Sequence, residues 1–128
     1  MNKDKFYQEA LPIMRAAVIE LQPQVRGVRV KLDEPVGESS IALSAFFETS
    51  RAGTDMLQLI VLFQIIDGLD VVDAQVVWDH DSLYIEADLP DRGFVPTTSE
   101  NLEHLLAELP RLIAAFKAAV LRGRPGDV

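Results

Sequence analysis

The chain has 128 residues, of which 48% are hydrophobic and 25% charged, a composition that fits one soluble globular domain able to bury a core. It has no cysteine, which excludes disulfide frameworks, zinc–thiolate sites and thiol nucleophiles and agrees with a reducing compartment. Its formal charge of −8, with few and scattered Lys and Arg, argues against binding nucleic acid or an anionic membrane surface, because both need clustered cations.

The N-terminal Met-Asn-Lys-Asp-Lys is not followed by a continuous apolar stretch, so it does not read as a signal peptide, and the expected location is cytoplasmic. Residues 4–21 predict a helix, with Phe6, Ala10, Ile13, Ala17 and Leu21 recurring at spacings of three and four and Asp4 as N-cap. Pro12 either kinks this helix or marks where its regular part starts, and Pro23 ends it. Residues 28–32 predict a short half-buried strand, with Val28, Val30 and Leu32 alternating with Arg29 and Lys31. After a turn-rich segment at 33–37, residues 41–48 predict a second strand. Ile41, Leu43, Ala45 and Phe47 form its inner row, and Phe46 falls on the outer one. Phe46 reads as a rim aromatic packed by a helix, with an interface residue as the alternative.

A polar loop at 49–55 leads into the longest apolar run of the chain, residues 56–66, which is too short to span a bilayer. Both of its parity rows are apolar except for Gln58 and Gln64, the pattern of a strand at the centre of a sheet or covered on both faces. A helix is the competing reading, favoured by Leu, Met and Gln and opposed by Ile60, Val61, Ile65, Ile66 and the closing Asp67-Gly68. Two further strands follow at 71–78 and 83–89, joined by a tight connection at 79–82. Their outward positions carry Asp73, Gln75, Tyr84, Glu86 and Asp88. The segment 90–93 ends the last strand. Thr97-Thr98-Ser99-Glu100 matches a capping box and opens a long leucine-rich helix, with Pro110 predicting a kink near Leu106, Gly123 a stop and 124–128 a frayed tail. Helix, about five strands and helix, joined by short connections, give a single α+β domain. The expected fold is an antiparallel sheet of about five strands, flanked by an N-terminal and a long C-terminal helix packed on one face.

No phosphate-binding glycine loop, His-Glu-x-x-His or Gly-x-Ser-x-Gly occurs. His104 reads as a helix-surface residue and His80, between Asp79 and Asp81, as part of a polar turn, so no catalytic residue, metal ligand or cofactor is assigned. One charge pattern stands out: eight acids and no Lys or Arg between Asp67 and Asp91. Asp73, Asp79, Asp81, Glu86 and Asp88, with Phe46, are the candidate partner-binding residues, an acidic surface for a basic protein. Its plain alternative is a solvated face that keeps the chain soluble, and Arg29 and Lys31 could equally meet it within the same sheet.

The segment Asp81-Ser82-Leu83-Tyr84-Ile85-Glu86-Ala87-Asp88-Leu89-Pro90, then a Gly and a leucine-rich helix reaching Phe116, resembles the end of the type III secretion chaperone-like fold, which includes the secretion chaperones and the YbjN-type proteins. The opening helix and the strands at 28–32 and 41–48 are also similar. That resemblance implies a small acidic homodimer that binds other proteins and catalyses nothing. The chain departs from the pattern in its middle, where the family places a helix between the third and fourth strands. The expected function is therefore a non-enzymatic protein-binding module, chaperone-like or adaptor-like. The alternatives are a small-ligand binder or enzyme with a pocket between sheet and helices, using Gln58, Gln64, Tyr84 or His80, and a toxin-neutralising immunity protein.

Overall fold

The structure, a computed structural model, describes residues 1–33, 40–48, 54–78, 82–89 and 93–123. The predicted connections at 34–37, 49–53, 79–81 and 90–92 and the tail at 124–128 lie outside the described residues. The elements are α1 (Lys3–Leu21), β1 (Val28–Asp33), β2 (Ile41–Glu48), β3 (Thr54–Ile66), β4 (Leu69–Trp78), β5 (Ser82–Glu86), β6 (Val95–Pro96) and α2 (Ser99–Arg122), with a single 3-10 turn at Gln22–Gln24 after α1.

The central apolar run is a strand. β3 is the middle member of an antiparallel sheet ordered β1-β2-β3-β4-β5, with β6 paired to β4 beyond the end of β5. Asp67 and Gly68 both take positive φ, 51° and 79°, the backbone of a two-residue turn whose twist matches the flanking strands. That turn sets the β3–β4 register, from Ile66 opposite Leu69 to Leu57 opposite Trp78. It also leaves no room for a helix between these strands. β6 was not foreseen, because two residues carry no alternation; Pro96 is tolerated there because the strand lies at an edge.

Both helices start one or two residues away from the expected caps. Asn2, rather than Asp4, caps α1, its side chain accepting the Lys5 N–H at 2.9 Å, and Asp4 falls in the first turn, where a carboxylate suits the positive end of the dipole. Thr98, rather than Thr97, caps α2 by accepting the Asn101 N–H at 3.2 Å. Thr97 is unavailable because its own N–H continues the β6 pairing to the Asp70 carbonyl at 3.1 Å. Each helix runs unbroken through its proline, so α1 does not begin at Pro12. Pro12 and Pro110 are both exposed, so neither ring intrudes on the core.

The helices share one face of the sheet. The stripe Phe6, Ala10, Met14, Ala17 and Leu21 of α1 meets Leu102, Leu105, Leu109, Leu112 and Phe116 of α2 and one parity row of each central strand in a single core. That row is Ile41, Leu43, Ala45 and Phe47 on β2, Leu57, Leu59, Val61 and Phe63 on β3, and Val72, Ala74, Val76 and Trp78 on β4. Ala42, Val71 and Val77 are also buried but stand outside this core, on the opposite face.

Candidate functional site

The opposite face carries the other parity row, and among the described residues no helix packs on it. Its register can be read across the strands. Arg29 lies beside Phe46 and then Met56; Lys31 beside Ser44, Gln58 and Val77; Asp33 beside Ala42, Ile60, Gln75 and Glu86. Leu62 pairs with Asp73 one row further along. Phe46, Met56, Ile60 and Leu62 are half-buried and form an apolar strip along β2 and β3. The strip has a cationic flank on β1 and an anionic flank on β4 and β5.

Phe46 is therefore not packed by a helix. The Arg29 guanidinium stands 5.0 Å and the Lys31 ammonium 5.8 Å from its ring centre, a geometry in which cations sit on the negative face of the ring. Lys31 also pairs with Asp33 at 3.1 Å. Asp33 accepts a hydrogen bond from the Ser44 hydroxyl at 2.9 Å, and Ser44 in turn accepts one from the Gln58 amide at 3.0 Å. This chain buries two polar side chains on the apolar strip, and Gln58 Oε1 is left buried without a donor among the described residues.

On the other flank, Asp73 is half-buried and accepts the N–H of Ala74 at 2.8 Å. Burial pushes its carboxyl above the ordinary range, and the neighbouring charge of Glu86 pushes the same way, against the lowering effect of the Ala74 hydrogen bond. Glu86 is exposed on the same face. Asp88 is exposed at the rim, where its backbone N–H donates to Glu108 of α2 at 2.6 Å. The structure thus brings Asp73 and Glu86 together, puts Asp88 at the sheet edge against Glu108 of α2, and sets Phe46 on the far side of the apolar strip. Asp79 and Asp81, with His80, lie outside the described residues. Among the described residues Arg29 and Lys31 do not meet Asp73 or Glu86, because β1 stands at one end of the strand order and β4 and β5 toward the other.

Sequence reasoning missed how the sheet edges are closed. On β1, the Gln22 side chain accepts the Val30 N–H at 2.7 Å and donates to the Val28 carbonyl at 2.9 Å, so one amide replaces a neighbouring strand. On the β5 edge, Arg111 donates to the Glu86 carbonyl at 2.7 Å while Glu108 takes the Asp88 N–H, and the two side chains pair at 3.0 Å. The Arg111 hydrogen bond holds the Glu108 carboxyl below its usual range. Blunted edges of this kind stop further strands from adding. No local pattern marks these residues, since their partners are 6 to 25 positions away.

A groove of about 410 Å³ lies between the end of α2 and the start of β1, lined by Val28, Phe47, Val120 and Leu121 with Arg26 and Arg122. Among the described residues its lining contains no carboxylate, hydroxyl or imidazole, and so no acid–base or nucleophilic group. Gln58 and Gln64, expected to reach a pocket under the helices, lie instead in the parity row of the opposite face. Among the described residues no group of three or more His, Asp or Glu is placed to hold a metal ion, and no helix is long and apolar enough to cross a membrane. His104 is exposed on α2. No protein family, no curated protein and no solved structure matches this chain.

Proposed function

We propose that this chain is a non-enzymatic, chaperone-like or adaptor-like cytoplasmic module that binds a protein partner on the helix-free face of its sheet. One observation carries the reading: an apolar strip at Phe46, Met56, Ile60 and Leu62 lies on a face that no described helix covers, flanked by Asp73 and Glu86. The strip is half-buried rather than fully exposed, and an apolar strip rimmed by charge that keeps part of its surface in solvent suits contact with another protein. The capped edges at β1 and β5 favour contact by the face rather than by strand addition. The acidic flank suits a basic partner. The resemblance to the chaperone-like fold supports the same reading.

The chain has no cysteine, so a single introduced thiol is a clean probe. Ile60→Cys labels the open face and Glu103→Cys the exposed side of α2. The thiol from Ile60→Cys is expected to alkylate more slowly in a cell extract than in highly dilute purified protein, while the thiol from Glu103→Cys reacts equally in both. Equal alkylation of the Ile60→Cys thiol in the two settings refutes a protein-binding face.

A further inference from the structure

We propose that the groove between the end of α2 and the start of β1 is a binding site for a small carboxylate that carries an apolar tail. Phe47, which lines it, belongs to the row of the sheet that meets the helices. The groove is therefore separate from the open face, and the inference stands independently of the protein-binding reading.

Two chain turns build its walls. After α1 the chain passes through the turn at Gln22–Gln24 and enters β1 beyond Gly27, whose φ is 70°. Opposite, α2 stops at Gly123, φ 89°, whose N–H closes on the carbonyls of Ala119 and Val120 at 3.1 and 3.2 Å. Space is open beside both glycines, since a Cβ on either would meet no atom within 4 Å. The first wall is held on both sides of Arg26. Gln24 donates to the Glu20 carbonyl at 2.9 Å, and the Gln22 side chain bridges Val28 and Val30 at 2.9 and 2.7 Å. A wall fixed before the ligand arrives loses little freedom on binding.

The lining states the chemistry of the occupant. The volume of about 410 Å³ lies low in the range of small-molecule sites, about 300–1,000 Å³, so the ligand is small. Val25, Val28, Phe47, Val120 and Leu121 call for an apolar body. The head is anionic. The chain has 20 acids against 12 Lys and Arg, yet among the described residues this lining holds Arg26 and Arg122 and no acid. Arg122 is already partnered and, in the last turn of α2, offsets the negative end of the helix dipole. Arg26 is exposed and makes no hydrogen bond or ion pair among the described residues. Its planar guanidinium matches a carboxylate through two parallel N–H···O bonds. The end of α2 also decides against a phosphate, because the partial negative charge there penalises a dianion more than a monoanion. With no acid–base or nucleophilic group in the described lining, the site holds its ligand without transforming it.

The chain has one tryptophan, and Trp78 packs 5.2 Å from Phe47, so its fluorescence reports on the groove. The probes are butanoate, hexanoate and octanoate titrated into the full chain near neutral pH, with octylammonium and inorganic phosphate as controls. Octanoate is expected to shift the Trp78 emission saturably, and affinity to rise by up to about fourfold per added methylene. Neither control is expected to saturate. Arg26→Gln, at an exposed position, is expected to fold as wild type and to weaken octanoate at least about tenfold. Arg29→Gln with Lys31→Gln, on the other face, is expected to leave octanoate binding unchanged. Leu121→Glu sets a carboxylate on the groove and is expected to abolish it. Amide shifts in two-dimensional NMR give a reading that needs no variant, with changes expected at 24–28 and 120–123. An absence of saturable binding, equal affinity for octanoate and octylammonium, affinity that ignores chain length, or sensitivity to Arg29 and Lys31 but not to Arg26 overturns the proposal. If octanoate binds only after residues 124–128 are deleted, the chain's own end is the occupant and the free carboxylate is not.

Discussion

Val61 and Ile60 are neighbours on β3, and opposite outcomes are expected when each is made polar. Val61 is fully buried between Ile41 and Ala74 and faces the helices. Ile60 is half-buried between Ala42 and Gln75 on the open face. Val61→Asp forfeits the burial of a valine, about 1.5–3 kcal/mol. The new carboxyl has Leu59, Phe63, Ile41 and Ala74 as its neighbours in the row, and none has a polar side chain. It must take up a proton to remain inside, and a pKa held roughly 3 units above the ordinary range costs about 4 kcal/mol near neutral pH. A neutral carboxyl without a partner adds about 1–3 kcal/mol. The total, about 7–10 kcal/mol, is comparable with the whole stability of a domain, about 5–15 kcal/mol. Val61→Asp is therefore expected to lose its cooperative urea transition near neutral pH and to recover part of it, relative to wild type, on acidification. Ile60→Lys is expected to keep the transition, at a cost of about 1–2 kcal/mol, because a lysine stem lies along apolar surface while its ammonium reaches water. Circular dichroism and the fluorescence of Trp78, which packs 5.2 Å from Phe47 in the core, follow both. Equal urea midpoints for the two variants would show that the helices do not distinguish the faces of β3.

Two other outcomes follow from the same structure. Gln22→Ala removes both hydrogen bonds that close the β1 edge, so stability is expected to fall by about 1–2 kcal/mol and amide exchange at Val30 to accelerate, with Val72 in the sheet interior unchanged; an unaffected Val30 amide counts against the side-chain cap. Asp73 has a folded pKa raised above its ordinary 3.8, so its contribution is most favourable below that value and is lost as pH rises through the folded pKa. Asp73→Asn is expected to raise the urea midpoint near neutral pH and not below about pH 3.8; an equal gain at both pH values refutes burial as the cause.

The sequence by itself determined the order of elements and the inward row of nearly every strand. Alternation in β2 and β4 separates an apolar inner row from a second row carrying Ser44, Asp73 and Gln75, and the stripe of α2 names its buried side, whereas in α1 the predicted Ile13 is exposed and Met14 takes its place in the core. Asp67-Gly68 dictated the hairpin, because its positive φ values suit these residues and few others. The caps were misplaced by one or two residues because Asn2 and Thr98 compete with equally able neighbours, and only the path of the preceding chain decides between them. Only the tertiary structure decided what the second row of β3 meets. Both of its rows are apolar, so period alone left open whether helices cover one face or two. The answer depended on the two helices packing against each other on the same side. Edge capping by Gln22, Glu108 and Arg111 and the separation of cations from acids across the strip were illegible for the same reason. They join positions far apart in the chain, and strand order, which no single segment encodes, sets their distance.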